Sequence, residues 1–477
     1  MPLLFTTALG ENTAIMDNLF LNCADIKKQA VTLGGNNGIS GCIYYIEVAA
    51  GNMTLQESVI GRLLMRLTEL PPEGIYQYLN ANALGMTDIS ELSDMDQAAM
   101  GVMIGDVILF LDGYDKALKI KAQGYPMMSV SSSEREQVMR GSLEGFVDSV
   151  KTNTALLRKR IRSTNLKVQE FILGKESHTT VALIHVDGLA SAPVLDAMRA
   201  RLTSLNIASV SDSGILEQLS EENIRSPFPQ YQTTERPDTA AFALMRGRVV
   251  LLSDNSPTAL LLPTNFNDFF KTSDDYYQRY GVATLARIIR YLAAFFALAL
   301  PAVYLAVMNY HPDILPANML FSFASGRANV PFPSIVEVLM MEFAFELLRE
   351  AGIRIPGPMG NTIGIVGGLI IGQAAVSAGI VSPVIVVVVA CTALSSFAIP
   401  NEELASAFRI LKYVLIILAY FQGFLGITLG LMGICLHLAS LKSFGLPYLM
   451  PIAAGDTTAR KNYKDLFLRY PLRSVPK

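Results

Sequence analysis

The sequence predicts a protein in two parts: an α/β soluble amino-terminal region with two subdomains, followed by an all-α transmembrane domain. Every uninterrupted apolar run of spanning length lies beyond about residue 285, and such a run is what a membrane helix requires. Short strand-like runs and helical patterns occupy the residues before it. The chain has 477 residues, 51% of them hydrophobic, with a mean hydropathy of +0.37. It is therefore too long for one compact domain and too apolar to be wholly soluble.

The composition disfavours several classes of function. A formal net charge of -3 leaves no strongly basic surface, so no nucleic-acid partner is expected. The four cysteines and four histidines form no CxxC or HxxxH pair, so no metal site, disulfide framework or cofactor is predicted. Gly34, Gly35, Gly38 and Gly41 form a glycine-rich turn without a following GK[ST], which disfavours a phosphate site. No catalytic arrangement emerges, and we expect no enzyme activity.

The first subdomain is predicted to cover residues 1–124, as a small mixed α/β unit. Strand-like runs lie at 43–48 and 107–111, and a helical pattern lies at 55–69. The chain starts without a basic flank before an apolar stretch, so no secretory signal is predicted and this region should stay on the side where it is made. Turn-forming residues at 125–133 then predict a linker.

The second subdomain is predicted to cover residues 134–284. Alternating strand and helix patterns predict an α/β domain with a partly parallel sheet. The predicted helices cover 134–162, 193–205 and 215–221, and the predicted strands cover 180–186, 240–245, 249–253 and 259–262. The first helix ends in the basic cluster Arg158, Lys159, Arg160 and Arg162. This cluster has two interpretations, an anion or acidic-lipid site and a solvated helix face, and we favour the solvated face.

The transmembrane domain is predicted to cover residues 285–450. A first span at 291–308 follows Arg287 and Arg290, which should mark its cytoplasmic end. The apolar block at 363–399 is too long for one crossing and contains turn-forming residues, so it predicts two helices joined by a tight break. The block at 410–438 is long enough to span with tilt. Four crossings are predicted.

The carboxyl-terminal tail, residues 451–477, is basic. Its cationic residues include Arg460, Lys461, Lys464, Arg469 and Arg473. Positive charge near membrane helices favours the cytoplasmic side. We therefore expect the tail and the amino-terminal region both to be cytoplasmic, which requires an even number of crossings.

Glycines recur in the apolar blocks at helical spacing. One row has spacings of three, four and three, and the other has a strict spacing of four, so each row shares a helix face. Such rows predict close helix-to-helix contact rather than exposure to lipid. The first row is Gly423, Gly426, Gly430 and Gly433, and the second is Gly360, Gly364, Gly368 and Gly372.

A short apolar stretch at 335–348 carries the acids Glu337, Glu342 and Glu346. Glu342 and Glu346 share a helix face, and Glu337 lies off it. A carboxylate at mid-bilayer costs about 2.5–3.5 kcal/mol on insertion scales, so such groups normally face a bundle interior or water. Two interpretations remain open. The stretch is an amphipathic helix at the headgroup boundary, with its acids in water and Arg349 paired to Glu346, or the acids line a cation path in an assembly.

Several strings occur in an order that resembles the GerA spore germination protein family, A-subunit type. The match covers nearly the whole chain after about residue 130, while for the first 120 residues it rests on position. No property is carried over to the tail. The strings are EREQVMRGSLEGFVDSVKTNTALLRKRIRS from residue 134, FPQYQTTERPDTAAFALMRGRVVLLSDNSPTALLLP from 228, DDYYQRY from 274, PFPSIVEVLMMEFAFELLREAGIRIPGPMGNTIGIVGGLIIGQAAVSAGIVSP from 331 and HLASLKSFGLPYLMPIA from 437.

The resemblance implies a receptor in the inner membrane of a dormant spore, together with a transporter-like B subunit and a lipid-anchored C subunit. In such a receptor the A subunit forms a homo-oligomer in the lipid bilayer through its membrane domain. This assembly is a germinant-gated channel for monovalent cations, and germinant capture is assigned to the B subunit. Two other readings of the sequence remain: a secondary transporter and a non-conducting scaffold of the receptor.

Overall fold

The structure is a computed structural model that describes residues 4–33, 38–48, 89–121, 125, 136, 138–354, 358–452 and 465–471. The predicted helix at 55–69 lies outside these residues, and so does the predicted linker except for Tyr125. The chain forms two compact units, Met1–Ile224 with Tyr231–Thr264, and Arg225–Gln230 with Asn265–Lys477. The predicted fold class is confirmed, because the first unit is α/β with two sheets and the second is mostly helical.

The first sheet of the α/β unit has five strands in the order β1-β2-β4-β5-β3, and each neighbouring pair is antiparallel. The strands predicted at 43–48 and 107–111 are confirmed, and Gly41 lies within a strand rather than in the predicted turn. The elements are α1 (Leu9–Leu19), β1 (Ile26–Leu33), β2 (Ile39–Ile46), β3 (Ile89–Leu92), α2 (Met95–Ile104), β4 (Val107–Leu111) and β5 (Ala117–Ile120).

The second sheet also has five strands, in the order β6-β7-β9-β10-β8. All of its described pairings are antiparallel, so the predicted partly parallel sheet is wrong. Two of the adjacent pairs, β6–β7 and β9–β10, are joined by short hairpin connections, which do not need a parallel crossover. The elements are α3 (Val150–Arg160), β6 (Leu166–Leu173), β7 (Thr179–Val186), α4 (Ala192–Ser204), α5 (Ser213–Ser220), β8 (Gln232–Thr234), α6 (Pro237–Met245), β9 (Val249–Ser253) and β10 (Ala259–Leu262).

Two other elements of this unit differ from the prediction. The segment predicted as a strand at 240–245 is part of helix α6, which begins with Pro237 in its first turn. A short apolar run does not distinguish a buried helix from a strand by periodicity alone, whereas proline at the first position favours a helix. The helix predicted over 134–162 begins only at Val150, because Ser149 caps it by accepting the Thr152 N–H.

The second unit contains six helices among its described residues that are longer than two turns. Two of them, α7 and α12, are long and apolar enough to cross a membrane by length and composition. The predicted division of the block at 363–399 into two helices is confirmed: the chain breaks at Gly379, whose φ is +66°, and restarts at Pro383. The helices are α7 (Tyr280–Tyr310), α8 (Ala317–Arg327), α9 (Ser334–Arg354), α10 (Pro358–Ser377), α11 (Pro383–Phe397) and α12 (Glu402–Ser440).

Helix α12 reverses direction at Gly423, where the backbone has φ 59° and ψ -135°. In a straight helix Leu415 and Gly430 would be about 22 Å apart, yet a Cβ at Gly430 would overlap the Leu415 side chain. The rings of Phe408 and His437 lie 6.2 and 5.9 Å from the ring of Phe228. The helix is therefore a hairpin of two halves, 402–422 and 424–440, and the predicted single span at 410–438 is wrong.

The hairpin packs against α7. The Tyr310 ring at the end of α7 lies against Gly423, and the Tyr310 hydroxyl donates to the Tyr420 carbonyl at 2.7 Å. At the other end, Phe266 lies 6.4 Å from Tyr448, ring to ring. The beginning of α7 and the segment after α12 therefore lie at the same end of the unit. Which side of a membrane this end faces stays a prediction.

Candidate functional site in the helical unit

Several glycines of the two predicted rows lie close to other helical segments of this chain. A Cβ at Gly426 would collide with the backbone carbonyl oxygen of Leu418, and Gly430 faces the first half of the hairpin in the same way. Gly433 has open space around it. In α10, a Cβ on Gly372 would lie 3.2 Å from Val386 of α11, and one on Gly368 would lie 3.9 Å from Leu348 of α9. The surroundings of Gly360 and Gly364 are outside the described residues.

Glu337 is fully buried in the first turn of α9. Its Oε1 lies 3.1 Å from a guanidinium nitrogen of Arg327 in α8, and its Oε2 accepts the Ser382 backbone N–H at 3.0 Å. The carboxylate therefore stabilises the beginning of α11, where free N–H groups favour an anion. Among the described residues, Glu337 Oε1, the Ser382 hydroxyl and the Tyr304 hydroxyl have no hydrogen-bond partner.

Glu342 is 1% exposed and forms a buried ion pair with Lys412, which is 5% exposed. Lys412 belongs to the first half of the α12 hairpin, and its Nζ also lies 4.0 Å from Oε1 of Glu346. The two acids that share a face of α9 therefore converge on one ammonium group. Sequence reasoning missed Lys412, although a single lysine inside an apolar block was a visible signal for a buried partner.

Glu346 is one-fifth exposed and accepts a hydrogen bond from Arg349 one turn later. Its Oε1 also lies 3.7 Å from Nε of Arg409 in α12. With Lys412 and Glu342 included, three cationic side chains surround two carboxylates, so the cluster carries a net charge of +1. The acids face basic side chains of the same chain.

The expected pairing of Arg349 with Glu346 is therefore present, but the interpretation that placed all three acids in water is wrong for Glu337 and Glu342. Both are buried between helices of the unit. The exposed end of α9 begins only at Glu350, whose pair with Arg354 is mostly exposed. Glu337 lies apart from the other two acids, with α8 and α11 as its neighbours.

A second network of buried charges lies at the beginning of α7. Arg287 is fully buried, and its guanidinium donates to Asp275 Oδ2 at 3.1 Å and to Asp465 Oδ1 at 2.9 Å. Arg290 donates to Asp275 Oδ1 at 2.9 Å. The two arginines predicted to mark a cytoplasmic helix end are thus held by carboxylates, because the chain brings Asp275 and Asp465 to them.

The carboxyl-terminal segment 465–471 is part of this network. Arg469 is 4% exposed, donates to the Asp275 carbonyl at 3.1 Å, and lies 5.3 Å from the Tyr276 ring. Burial opposes ionisation of Asp465, but Lys271 and Arg287 outweigh it and lower the pKa of its carboxyl. The sequence offered no signal for this docking, since the tail has no distinctive motif.

The basic cluster in the α/β unit also behaves differently from the prediction. Arg158 is fully buried and makes two 2.9 Å hydrogen bonds to the carboxylate of Asp25. Lys159 and Arg160 both pair with Glu144. The predicted solvated helix face is therefore wrong for Arg158, because its guanidinium is buried and paired with the Asp25 carboxylate of the same chain.

An open cleft of about 780 Å³ lies in the α/β unit, between the first sheet and β6. Its lining includes Asp17, Lys28 and Tyr44. Asp17 accepts hydrogen bonds from Lys28 at 2.6 Å and from the Tyr44 hydroxyl at 2.7 Å. These polar groups of the lining are therefore bonded to each other.

Within the described part of the chain, no group of three or more His, Cys, Asp or Glu side chains is placed to hold a metal ion. The four cysteines are free thiols, with Cys23 and Cys42 buried and Cys391 and Cys435 exposed. Burial raises the pKa of the Cys23 thiol, which disfavours the reactive thiolate.

Comparison with known proteins places the chain in a family. The family model described as Bacillus/Clostridium GerA spore germination protein matches residues 14–477. The "Uncharacterized membrane protein YfkQ" of Bacillus subtilis is 40% identical over 463 residues, which cover 97% of this chain and 89% of that protein. "Spore germination protein KA" of Bacillus subtilis is 36% identical over 470 residues, covering 98% of this chain and 86% of that protein.

"Spore germination protein GerLA" of Bacillus cereus is 36% identical over 397 residues, which cover 83% of this chain and 80% of that protein. A solved structure, the N-terminal domain of the A subunit of the Bacillus megaterium spore germinant receptor GerK3, is 25% identical with a TM-score of 0.44. It aligns with 56% of this chain and 98% of that domain. The family model covers most of the chain, in agreement with the motifs of the sequence, and the chain belongs to the GerA spore germination protein family.

Proposed function

We propose that this chain is the A subunit of a nutrient germinant receptor in spores, and that copies of it assemble through their helical units into a germinant-gated channel for monovalent cations. Family membership supports the role in germination. The observation that carries the channel part is a pair of acids on one face of α9, the buried Glu342 and the half-buried Glu346, inside a bundle of apolar helices.

Ionisable side chains among membrane helices are expensive and are typically retained for a function. A row of carboxylates that is released from its counter-charges raises the local concentration of cations and repels anions, which is how acidic rings select in cation channels. Glu342 and Glu346 are one helical turn apart, so movement of α9 would carry both towards the same path. Glu337 would contribute from the neighbouring turn, beside the beginning of α11.

The receptor would reside in the inner membrane of the spore, as a multi-pass protein together with the B and C subunits. The amino-terminal region and the tail would both be cytoplasmic. The shared position of the beginning of α7 and the segment after α12 supports an even number of crossings. The B subunit would capture the germinant, and the A subunit would respond to it.

The decisive experiment reconstitutes the full chain with its B and C partners in liposomes and measures rubidium flux with and without germinant. Glu342→Gln and Glu346→Gln should each weaken the preference for cations over anions. Glu350→Gln is the matched control, since Glu350 lies on the same helix but is mostly exposed. Unchanged conductance and selectivity in both the Glu342 and the Glu346 variant would remove these acids from the path.

A secondary transporter is the second candidate, and the broken helices favour it. The chain interrupts its helices at Gly379 and reverses at Gly423, and discontinuous helices build substrate sites in many transporters. Flux that saturates with substrate and lacks discrete single-channel steps would favour the transporter. A protein that assembles in bilayers with its partners but never conducts would instead be a scaffold of the receptor.

A further inference from the structure

We propose that Lys412 is a tethered cation that occupies a monovalent-cation site formed by Glu342 and Glu346, and that it keeps the ion path closed at rest. This inference rests on the proposed channel function and identifies the group that would have to move. It assigns Lys412 the place that a sodium or potassium ion takes when the path is open.

The geometry supports the assignment. The Lys412 ammonium, on the first half of the α12 hairpin, donates to Oε2 of Glu342 and lies 4.0 Å from Oε1 of Glu346. The lysine side chain is only 6% exposed, so water replaces little of this contact. An ammonium is a compact monovalent point charge, and it satisfies the same carboxylate oxygens that attract a small hard cation.

An unsatisfied oxygen indicates that Lys412 does not satisfy all the carboxylate oxygens of this site. Oε1 of Glu342 is buried without a hydrogen-bond partner among the described residues, on a side chain that is 1% exposed. A buried carboxylate oxygen in this condition is costly, because it has lost its water without gaining a partner. A cation at this position would contact it directly.

The neighbouring arginines do not substitute for Lys412. Arg349 donates to Glu346, and the nearest approach of Arg409 is also to Glu346. Within the described residues, Lys412 supplies the one ion pair of Glu342. If the lysine side chain swings away, Glu342 is left without its counter-charge, and a small cation restores the charge balance one for one.

This arrangement indicates how the ion path could open. Lys412 and Glu342 lie on different helices, so relative movement of α9 and α12 separates them. The flexible four-carbon stem of lysine permits this exchange, whereas a bidentate arginine would hold its geometry more rigidly. At rest the site is filled by the chain itself and no ion passes.

The flux test uses the full chain with its B and C partners in liposomes. Lys412→Gln should produce a germinant-independent rubidium leak on the order of tenfold above the wild-type level. Lys412→Arg keeps the positive charge and should stay closed without germinant. The double variant Glu342→Gln and Lys412→Gln removes both charges, and it should not leak although it too lacks the lysine. A leak of equal size in the double variant overturns the proposal.

A second readout separates this inference from the channel function. Lys412→Gln should melt several degrees higher in potassium chloride than in choline chloride at equal ionic strength, since a bound ion stabilises the folded state. The wild type and the double variant should show no such difference. If potassium stabilises Lys412→Gln but neither the wild type nor any variant conducts rubidium, the cation site is supported and the channel function is refuted. The opposite result is a wild type that conducts with germinant and a folded Lys412→Gln variant that neither leaks nor is stabilised by potassium. This result overturns the cation site and is compatible with the channel function.

Poor accumulation of Lys412→Gln would not end the test. Lys412→Ser leaves room for a hydrated cation at the same position, and its yield after extraction in potassium chloride or choline chloride reports on the same site. A higher yield in potassium supports the proposal. Equal yields in the two salts overturn it.

Discussion

The two buried charge networks of the helical unit differ in how completely their polar atoms are satisfied. At the beginning of α7, both carboxylate oxygens of Asp275 and of Asp465 accept hydrogen bonds, and all three guanidinium nitrogens of Arg287 donate. In the network between α9 and α12, Oε1 of Glu342 has no partner among the described residues. A fully satisfied buried network is rigid, whereas a partly satisfied one has less to lose when it rearranges.

This difference suggests separate roles for the two networks. The first joins the segment before α7, the helix itself and the carboxyl-terminal segment, so it fastens distant parts of the chain. The second joins two helices through Lys412 and Arg409, and a separate group of unsatisfied atoms lies at Glu337, Ser382 and Tyr304. We interpret the first as structural and the second as the part that moves.

The largest expected effect tests the first network. Asp275→Asn removes the charge that pairs with both Arg287 and Arg290, and it leaves Arg287 buried with one carboxylate partner. Breaking a buried ion pair on one side destabilises by about 3–5 kcal/mol. Thermal unfolding of the detergent-solubilised protein measures this loss, with Glu350→Gln on the exposed face of α9 as the control. A melting temperature equal to that of the wild type would contradict a structural role.

The second prediction compares the removal of one partner of the Glu342–Lys412 ion pair with the removal of both. Lys412→Met should lower stability by about 3 kcal/mol, because Glu342 is left buried without its cation. Adding Glu342→Gln should recover most of this loss, since no uncompensated charge remains. Thermal unfolding of the single and double variants in choline chloride checks the pair. A double variant as unstable as the single one would show that packing, rather than charge, decides the stability of this contact.

The third prediction concerns the hairpin that presents Lys412. Gly426→Ala places a methyl group against the Leu418 carbonyl and should cost about 1–3 kcal/mol. Gly433→Ala is the matched control on the same half of the hairpin, where a Cβ meets open space. The alanine there should be neutral or stabilising by up to about 1 kcal/mol, because alanine has the higher helix propensity. Equal effects of the two changes would argue against the close contact at Gly426.

The smallest expected effect is a pH dependence in the α7 network. The folded protein lowers the pKa of Asp465 below its ordinary value of 3.8, so the unfolded chain binds its proton first as the pH falls. The contribution of Asp465 is therefore fully present above about pH 4 and disappears as the pH falls through the lowered pKa. The stability difference between wild type and Asp465→Asn should shrink as the pH falls below about 4. A difference that is constant over this range would rule out the ionised pair as its source.

Several features of this protein were predictable from the sequence, for physical reasons that are local. The apolar runs locate the helical unit, because lipid-exposed and core helices both need continuous apolar residues. The break between α10 and α11 follows from Gly379, which ends a helix in the left-handed conformation that glycine favours, and from Pro383, whose fixed φ favours the first turn of the next helix. The strands at Val107–Leu111 and Val249–Ser253 follow from short apolar runs between turns.

Other local patterns were ambiguous, and neighbouring residues decided between the alternatives. The run at 240–245 suits a buried strand or a buried helix, and its proline start selected the helix. The glycine row in α12 predicted close approach of another helix, but spacing alone did not show that the backbone beside Gly426 belongs to the same helix after a reversal at Gly423.

By itself the sequence determined the division into an α/β region and a helical region, the family motifs and the positions of the membrane acids. Only the tertiary structure decided the partners of those acids, because Glu342 meets Lys412 70 residues away and Arg287 meets Asp465 178 residues away. Composition and periodicity act over a few turns of chain, whereas a buried charge is stabilised by whichever opposite charge the fold brings within hydrogen-bond distance.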